Sequence, residues 1–484
     1  MGCEYYAAFL PQSLPSACFA AFVANTWSQP AHLKVSYGGN ALPVAEFARI
    51  PSGSGQALTY KPFNPAAGIP PGAVVILFLA GPTGKPAQGT SPCPVPSAQP
   101  LLKSDAKTQI GSAFRIEADV PVVAYQINPY GGGSAAVTGA SLLLPTSVWD
   151  TNYVAANAYD ADPGITTSIP SIHILAAEDN TRVTMVPKVA VAGGGGIPAV
   201  PAGGKLVLTL QRGDNAQIAQ RELLTGSVLQ SDKPVGFMTA IQCLRVPVGT
   251  AYCDHGEQML PPIKALGSEY VGVMHRPRMG EPGIWRVVGT VKGTSLSWSS
   301  NVGGPATLGL GEVKEFITDR PFVVKSQDKD HPFMLFSYMS GSQWKPGLSG
   351  YGDADFVLSV PPQQYSKSYV FFADPSYPET NLVVVRAKVG EQYFDVNLDC
   401  AGALKGWQAI GDYEWTRVDL STGDFQAVGK CQTGRHEIKS GGPFGLWVWG
   451  WGTPKTTIFT QNVSYGYPGG MNVRLINEVE IPPG

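Results

Sequence analysis

The sequence predicts an all-β protein of four related β-sandwich-like units with little helix, and three observations carry that prediction. First, one segment recurs four times, a polar turn ending in proline that releases into an apolar run. Its clearest form is Ser231-Asp232-Lys233-Pro234-Val235-Gly236-Phe237-Met238. The others are Asp119-Val120-Pro121-Val122-Val123-Ala124, Asp330-His331-Pro332-Phe333-Met334-Leu335 and Gly442-Pro443-Phe444-Gly445-Leu446-Trp447. Second, a further proline follows each key proline at a nearly constant distance: Pro121 to Pro145, Pro234 to Pro262, Pro332 to Pro361, Pro443 to Pro468. In three copies a tyrosine (Tyr153, Tyr270, Tyr369) stands eight residues beyond, at the head of an apolar strand. Self-similarity at fixed spacing marks a repeat architecture. Third, Gly 57 and Pro 42 make up about a fifth of the 484 residues, with 14% charged and 44% hydrophobic. Turn residues scattered between short apolar runs suit strands, and disorder needs lower hydrophobicity and higher net charge.

The first unit, 1–151, opens with strands at Cys18–Val23 and His32–Tyr37 and a turn at Tyr37-Gly38-Gly39-Asn40. The longest apolar run, Ala73–Ala80, is a core strand, since a spanning helix needs roughly 20 residues. Loops at Gly81–Pro100 and Tyr130–Gly139 are long enough to serve a partner. In the second unit, 152–267, Ile172–Leu175 and Arg182–Val186 read as a hairpin around Glu178–Thr181. Arg286–Gly289 and Ser295–Trp298 repeat its length in the third unit, 268–367, and Leu382–Val385 with Tyr393–Val396 echo it in the fourth, 368–484. Gly193–Gly196 is a glycine-rich tip, and Gln217–Leu224 allows a turn or two of helix before Gly226. Units of roughly 100 to 150 residues match sandwich domains and exceed one propeller blade of about 40 to 50. They pack in series or around a pseudo-fourfold.

With 34 basic and 36 acidic residues, a net charge of −2, the chain offers no field for nucleic acid or anionic lipid. The seven cysteines fall into local pairs, Cys3 with Cys18, Cys243 with Cys253 and Cys400 with Cys431, leaving Cys93 over. Such pairing predicts disulfides worth about 3 kcal/mol each in the chain-entropy model and an extracellular or outer-surface location. The alternative is a reduced chain of free thiols. Met1-Gly2 has no basic, apolar leader after it, so a leader or anchor is expected upstream.

Cys243, Cys253, Asp254 and His255 have ligand chemistry. Their spacing is unlike zinc-site CxxC pairs, which favours a disulfide with Asp254 and His255 bonding the loop, where both are possible ligand contacts beside Trp451. Glu257 and Gln258 are expected to satisfy buried backbone. Trp447, Trp449 and Trp451 share one strand face. The first two read as core, whereas Trp451, beyond Gly450, is the candidate ligand-stacking residue. The acidic pairs Asp160/Asp162, Asp328/Asp330 and Asp353/Asp355 could hold Ca²⁺, but none has a loop motif for it and solvated turns are the simpler reading. No cofactor is otherwise expected. No nucleophile elbow, zincin, dinucleotide or Walker motif occurs, and the six histidines are scattered, so a non-enzymatic role is expected.

The block Cys243, Cys253-Asp254-His255-Gly256-Glu257-Gln258-Met259-Leu260-Pro261-Pro262 and Leu266-Gly267-Ser268-Glu269-Tyr270-Val271 resembles the signature of the IgG Fc-binding protein N-terminal domain family. Asp232-Lys233-Pro234-Val235 and Ser464-Tyr465-Gly466-Tyr467-Pro468-Gly469-Gly470-Met471 fit the same family. The similarity runs from Cys3 to about Ile476, and the Gly- and Pro-rich chemistry resembles the bacterial branch of secreted or surface-anchored proteins. The resemblance implies a secreted, non-catalytic adhesion or matrix module. Expected partners are a protein, glycoprotein or glycan bound through the loops. The alternative is a carbohydrate-binding or polysaccharide-degrading protein with an aromatic groove near Trp451 and the Cys243–Cys253 loop.

Overall fold

The recurring proline segment is the bend of a long strand. A computed structural model describes residues 1–14, 17–85, 91–131, 137–456 and 461–483; parts of the loops expected at 81–100 and 130–139 lie outside the described residues. The long strands are Phe114–Asn128, Val228–Leu244 and Gly434–Trp451, and in the third unit the strand is split into Phe322–Ser326 and Phe333–Met339. Before the bend the long strand pairs with the unit's opening strand (Gly2–Ala7, Asp150–Val154, Glu269–Gly272, Ser366–Ala373). On its other side lies the third strand (Leu33–Tyr37, Thr181–Val186, Thr294–Trp298, Val396–Leu398). Beyond the bend it pairs with the second strand (Phe19–Asn25, Pro170–Ala176, Gly283–Gly289, Glu379–Ala387). The last partner is a closing strand (Gly139–Leu142, Asp254–Leu260, Asp355–Leu358, Ser464–Pro468). One strand thus serves both sheets of each sandwich.

Proline explains the bend, because it has no N–H to give a ladder. Three opening strands carry an irregular register where they meet the residue after it, at Gly2↔Val122, Asp150↔Val235 and Ser366↔Phe444, and bulges bend strands. A tyrosine hydroxyl from each opening strand then donates to the carbonyl of that residue: Tyr5 to Val122 (2.6 Å), Tyr153 to Val235 (2.7 Å), Tyr270 to Phe333 (2.7 Å) and Tyr369 to Phe444 (2.5 Å). The tyrosine eight residues past a linker proline therefore locks the bend of the unit it opens.

This pattern corrects the hairpin reading. Pro170–Ala176 and Thr181–Val186 do not pair with each other. The first lies beside the far half of the long strand and the second beside its near half, so the connection arches from sheet to sheet. Gly283–Gly289 with Thr294–Trp298, and Glu379–Ala387 with Val396–Leu398, do the same. Residues 217–219, which allowed a turn or two of helix, belong to strand Asp214–Ala219, paired on both sides; one partner is Gln109–Ser112 from the first unit's stretch of chain. The Gly193–Gly196 tip packs on that strand through Ile110 N to Gly195 O (2.8 Å) and presents no free loop.

The four closing strands stand in a cycle, each beside two others, so the units form a ring rather than a row. At its axis the Gln258 side-chain nitrogen lies 3.0, 3.0 and 3.3 Å from the carbonyls of Ala140, Phe356 and Gly466, one on each of the other closing strands. Linkers leave the closing strands through Pro145, Pro262 and Pro361, each capping a single 3-10 turn. Residues 471–481 run back across these linkers as an extended strap. Asn472 and Arg474 bond Tyr365 and Gln364, Asn477 bonds the carbonyls of Ile263 (2.8 Å) and Leu266 (2.9 Å), and Ile481 bonds Asn152.

Candidate partner-binding face

The loops entering the closing strands meet at the end of the ring opposite the strap. Gly341 N donates to Val246 O (2.7 Å), Gly352 N to Gln461 O (2.7 Å), and Thr138 and Ser464 bond each other across the junction of the first and fourth units. The loops between opening and second strands reach the same end: Ser13 bonds Gln242 O (2.9 Å), Arg245 pairs with Asp162 (3.1 Å), and Arg278 bonds Ser340 O (2.6 Å). The first three units thus each give two loops to a crown, and the fourth gives the loop before its closing strand.

Two disulfides staple the crown. Cys243–Cys253 closes the second unit's loop, and Cys18–Cys93 ties the loop after Ala80 to the head of the second strand; Cys400–Cys431 lies on the fourth unit. The expected Cys3–Cys18 pair does not form, and Cys3 is free and exposed. The reason is register. Phe19 pairs with Ala80, so the chain leaving Ala80 passes Cys18, while Cys3 sits on an opening strand in the other half of the sandwich. Cys93, expected to be left over, is the true partner.

On these pinned loops stand large apolar side chains in solvent: Tyr252 is 51% exposed, Met279 57% and Val248 38%. Tyr252 (φ 63°) and Met279 (φ 47°) also hold the left-handed backbone, which bulky residues adopt rarely and at a cost of about 1–3 kcal/mol. Met279 is held there from beneath. Buried Arg278 forks onto Glu281 (2.6 and 2.6 Å) and bonds Tyr351 O (2.8 Å), while His275 bonds Glu281 (2.8 Å). Burial pushes the Glu281 carboxyl up, but Arg278 and His275 together hold it well below the usual carboxylate range.

The residues expected to meet a ligand lie elsewhere. Trp451 is 1% exposed, under the Arg276 guanidinium (5.0 Å) and against His275, so it offers no stacking face. Its strand is the long strand of the fourth unit, whose far half is covered by two partners, and Trp447 and Trp449 share that core. Asp254 and His255 are fully buried near the axis. Asp254 accepts from Ser464 Oγ (2.6 Å), and His255 bonds Glu257 (3.0 Å), which also takes a bond from Gln126 (3.0 Å). Sequence reading missed Tyr252 and Met279, although Tyr252 beside Cys253 was a visible signal.

Asp353 and Asp355, expected in a solvated turn, are also fully buried. Burial raises both, Asp353 to about 7. Asp162 is buried too, holding Gly164 N, Gly249 N and Arg245. Among the described residues one His/Cys/Asp/Glu group has metal-ligand spacing, Asp399, Cys400 and His436. There the Cys400 sulfur is spent in a disulfide, and His436 bonds Asp399 (2.8 Å). No helix among the described residues is long and apolar enough to cross a membrane.

The family model described as IgGFc binding protein matches residues 139–450, from the first closing strand into the last long strand. No curated protein and no solved structure matches the chain. The match takes in the second and third sandwiches, most of the fourth, and the crown loops that carry Tyr252 and Met279. More than half of the chain lies within it, and the chain therefore belongs to the IgGFc-binding protein family.

Proposed function

We propose that this is a non-enzymatic extracellular adhesion or scaffold protein that takes a protein or glycoprotein partner on its crown. The observation that carries the reading is the pair Tyr252 and Met279: exposed, apolar, left-handed in backbone, and fixed by the Cys243–Cys253 bridge and the Arg278–Glu281 ion pair. Aromatic and methionine side chains are enriched at interfaces, the aromatic because its few rotors cost little entropy on contact and the methionine because it adapts its shape to a partner. Membership of a binding family supports a protein partner, three disulfides support an oxidising compartment, and the Gly- and Pro-rich composition supports the secreted bacterial branch.

The test is surface-based binding of immunoglobulin Fc and of a mucin-type glycoprotein to the intact chain and to a Tyr252→Ser/Met279→Ser variant. Both side chains are exposed, so thermal unfolding should be unchanged. A loss of affinity of tenfold or more for whichever probe binds supports the reading. Binding that the double variant leaves intact overturns it.

A further inference from the structure

A second recognition site lies away from the crown, where the first and fourth sandwiches meet and the ring closes. A cleft of about 550 Å³ opens there. That size falls within the range of small-ligand sites, roughly 300–1,000 Å³, and is too small for a folded partner. Ala73, Val74 and Phe372 line it on the apolar side, Ser52, Ser54, Gln432 and Thr433 on the polar side, and Lys430 and Arg435 bring positive charge.

The cations of this cleft keep hydrogen-bond donors unused. Its carboxylate, Asp399, is already engaged, with one oxygen on His436 Nδ1 (2.8 Å) and the other on Glu437 N (2.9 Å). His436 is engaged on both ring nitrogens, the second facing Gln432 O (2.6 Å). Arg435 stands 4.0 Å from Asp399 and 3.8 Å from Glu437, beyond hydrogen-bond reach, and its Nε is buried with no partner among the described residues. A buried donor left unmade costs about 1–3 kcal/mol, and a guanidinium fork matches a carboxylate or sulfate. Lys430 is exposed and makes no ion pair among the described residues. It sits at the tip of the tight turn in which Val428 and Cys431 bond each other in both directions, and the Cys400–Cys431 bridge fixes that wall.

We infer that this cleft binds an acidic saccharide unit, its carboxylate or sulfate on Arg435 and Lys430 and its hydroxyls on Ser52, Ser54, Gln432 and Thr433. The site is independent of the crown. A polar-sided, apolar-floored slot suits a sugar ring, which has hydroxyls at its edge and C–H groups on its face.

The experiment is titration calorimetry of the intact chain with a uronic-acid disaccharide and with a sulfated disaccharide, each beside its neutral counterpart (methyl-esterified or desulfated). Binding of one acidic disaccharide at least tenfold tighter than its neutral counterpart is expected, weakening as salt rises, and the two acidic arms tell carboxylate from sulfate. Lys430→Gln, at an exposed turn, should weaken binding severalfold, and Lys430→Gln/Arg435→Gln tenfold or more. Tyr252→Ser should bind like the parent, which separates this site from the crown. Failure of both acidic disaccharides to bind, equal binding of the neutral forms, or full binding by the double variant each overturns the inference.

Discussion

Replacing Gln258 with methionine should unfasten the axis of the ring. The Gln258 Nε2 has two hydrogens to share among three carbonyls, on Ala140, Phe356 and Gly466, at 3.0, 3.0 and 3.3 Å. Methionine keeps the length and nearly the volume, so the packing change is small, and what is lost is donation. Two hydrogen bonds disappear and their acceptors stay buried, each at a penalty of about 1–3 kcal/mol, giving roughly 2–6 kcal/mol in all. The assay is equilibrium urea unfolding followed by tryptophan fluorescence, with Gln343→Met at an exposed crown position as the control. Because buried clusters span unit boundaries, the first with the fourth and the second with the third, the loss should move the main transition rather than split off a single unit. A shift below about 0.5 kcal/mol, the range of ordinary surface substitutions, would refute the role given to this side chain.

Burial raises the folded pKa of Asp374 from 3.8 to about 6, and Asp353 moves the same way. Their stabilisation is therefore complete below the unfolded pKa and is lost as pH climbs through the folded one. Asp374 contributes about 3 kcal/mol to that loss; the melting temperature should fall between about pH 4 and pH 7, and by less in Asp374→Asn. Removing Cys18–Cys93 (separation 75) should cost about 4.5 kcal/mol and removing Cys243–Cys253 (separation 10) about 3; paired Cys→Ser variants in denaturant check the order, and Cys3→Ser should change nothing. Asn477→Ala strips two bonds from the linker carbonyls of Ile263 and Leu266 and should cost about 2–3 kcal/mol by the same unfolding assay.

Sequence carried the repeat well because the repeat is a covalent necessity. Proline cannot sit in a two-sided ladder, so every copy must bend, and each bend needs its tyrosine. Tyr5 escaped notice since no proline precedes it to set the count, yet it bonds Val122 as its three counterparts bond theirs. Three-dimensional neighbourhood was harder to read. An arch and a hairpin share loop length, and only the long strand between them tells one from the other. Cys18 has Cys3 near it in sequence but Cys93 near it in space, through the Phe19–Ala80 register. Asp254, His255, Asp353 and Asp355 carry side chains that ordinarily face water or ligand, and local sequence holds no sign that the closing strands will bury them; Trp451 is core like Trp447 and Trp449. The exposed pair Tyr252 and Met279 looks like core when read as letters.

The strap along the linkers also sets how the molecule answers tension. Its bonds lie one after another, at Asn152, then Ile263 and Leu266, then Gln364 and Tyr365. A pull on residue 483 loads them singly, like a zip, while the ladders of the sandwiches are still slack. Eleven residues, 471–481, at about 3.3 Å each release roughly 35 Å of chain before any sheet feels the force. A protein tethered through that side would yield by this length first and keep its crown intact, and after the load is gone the same linkers would guide the strap home.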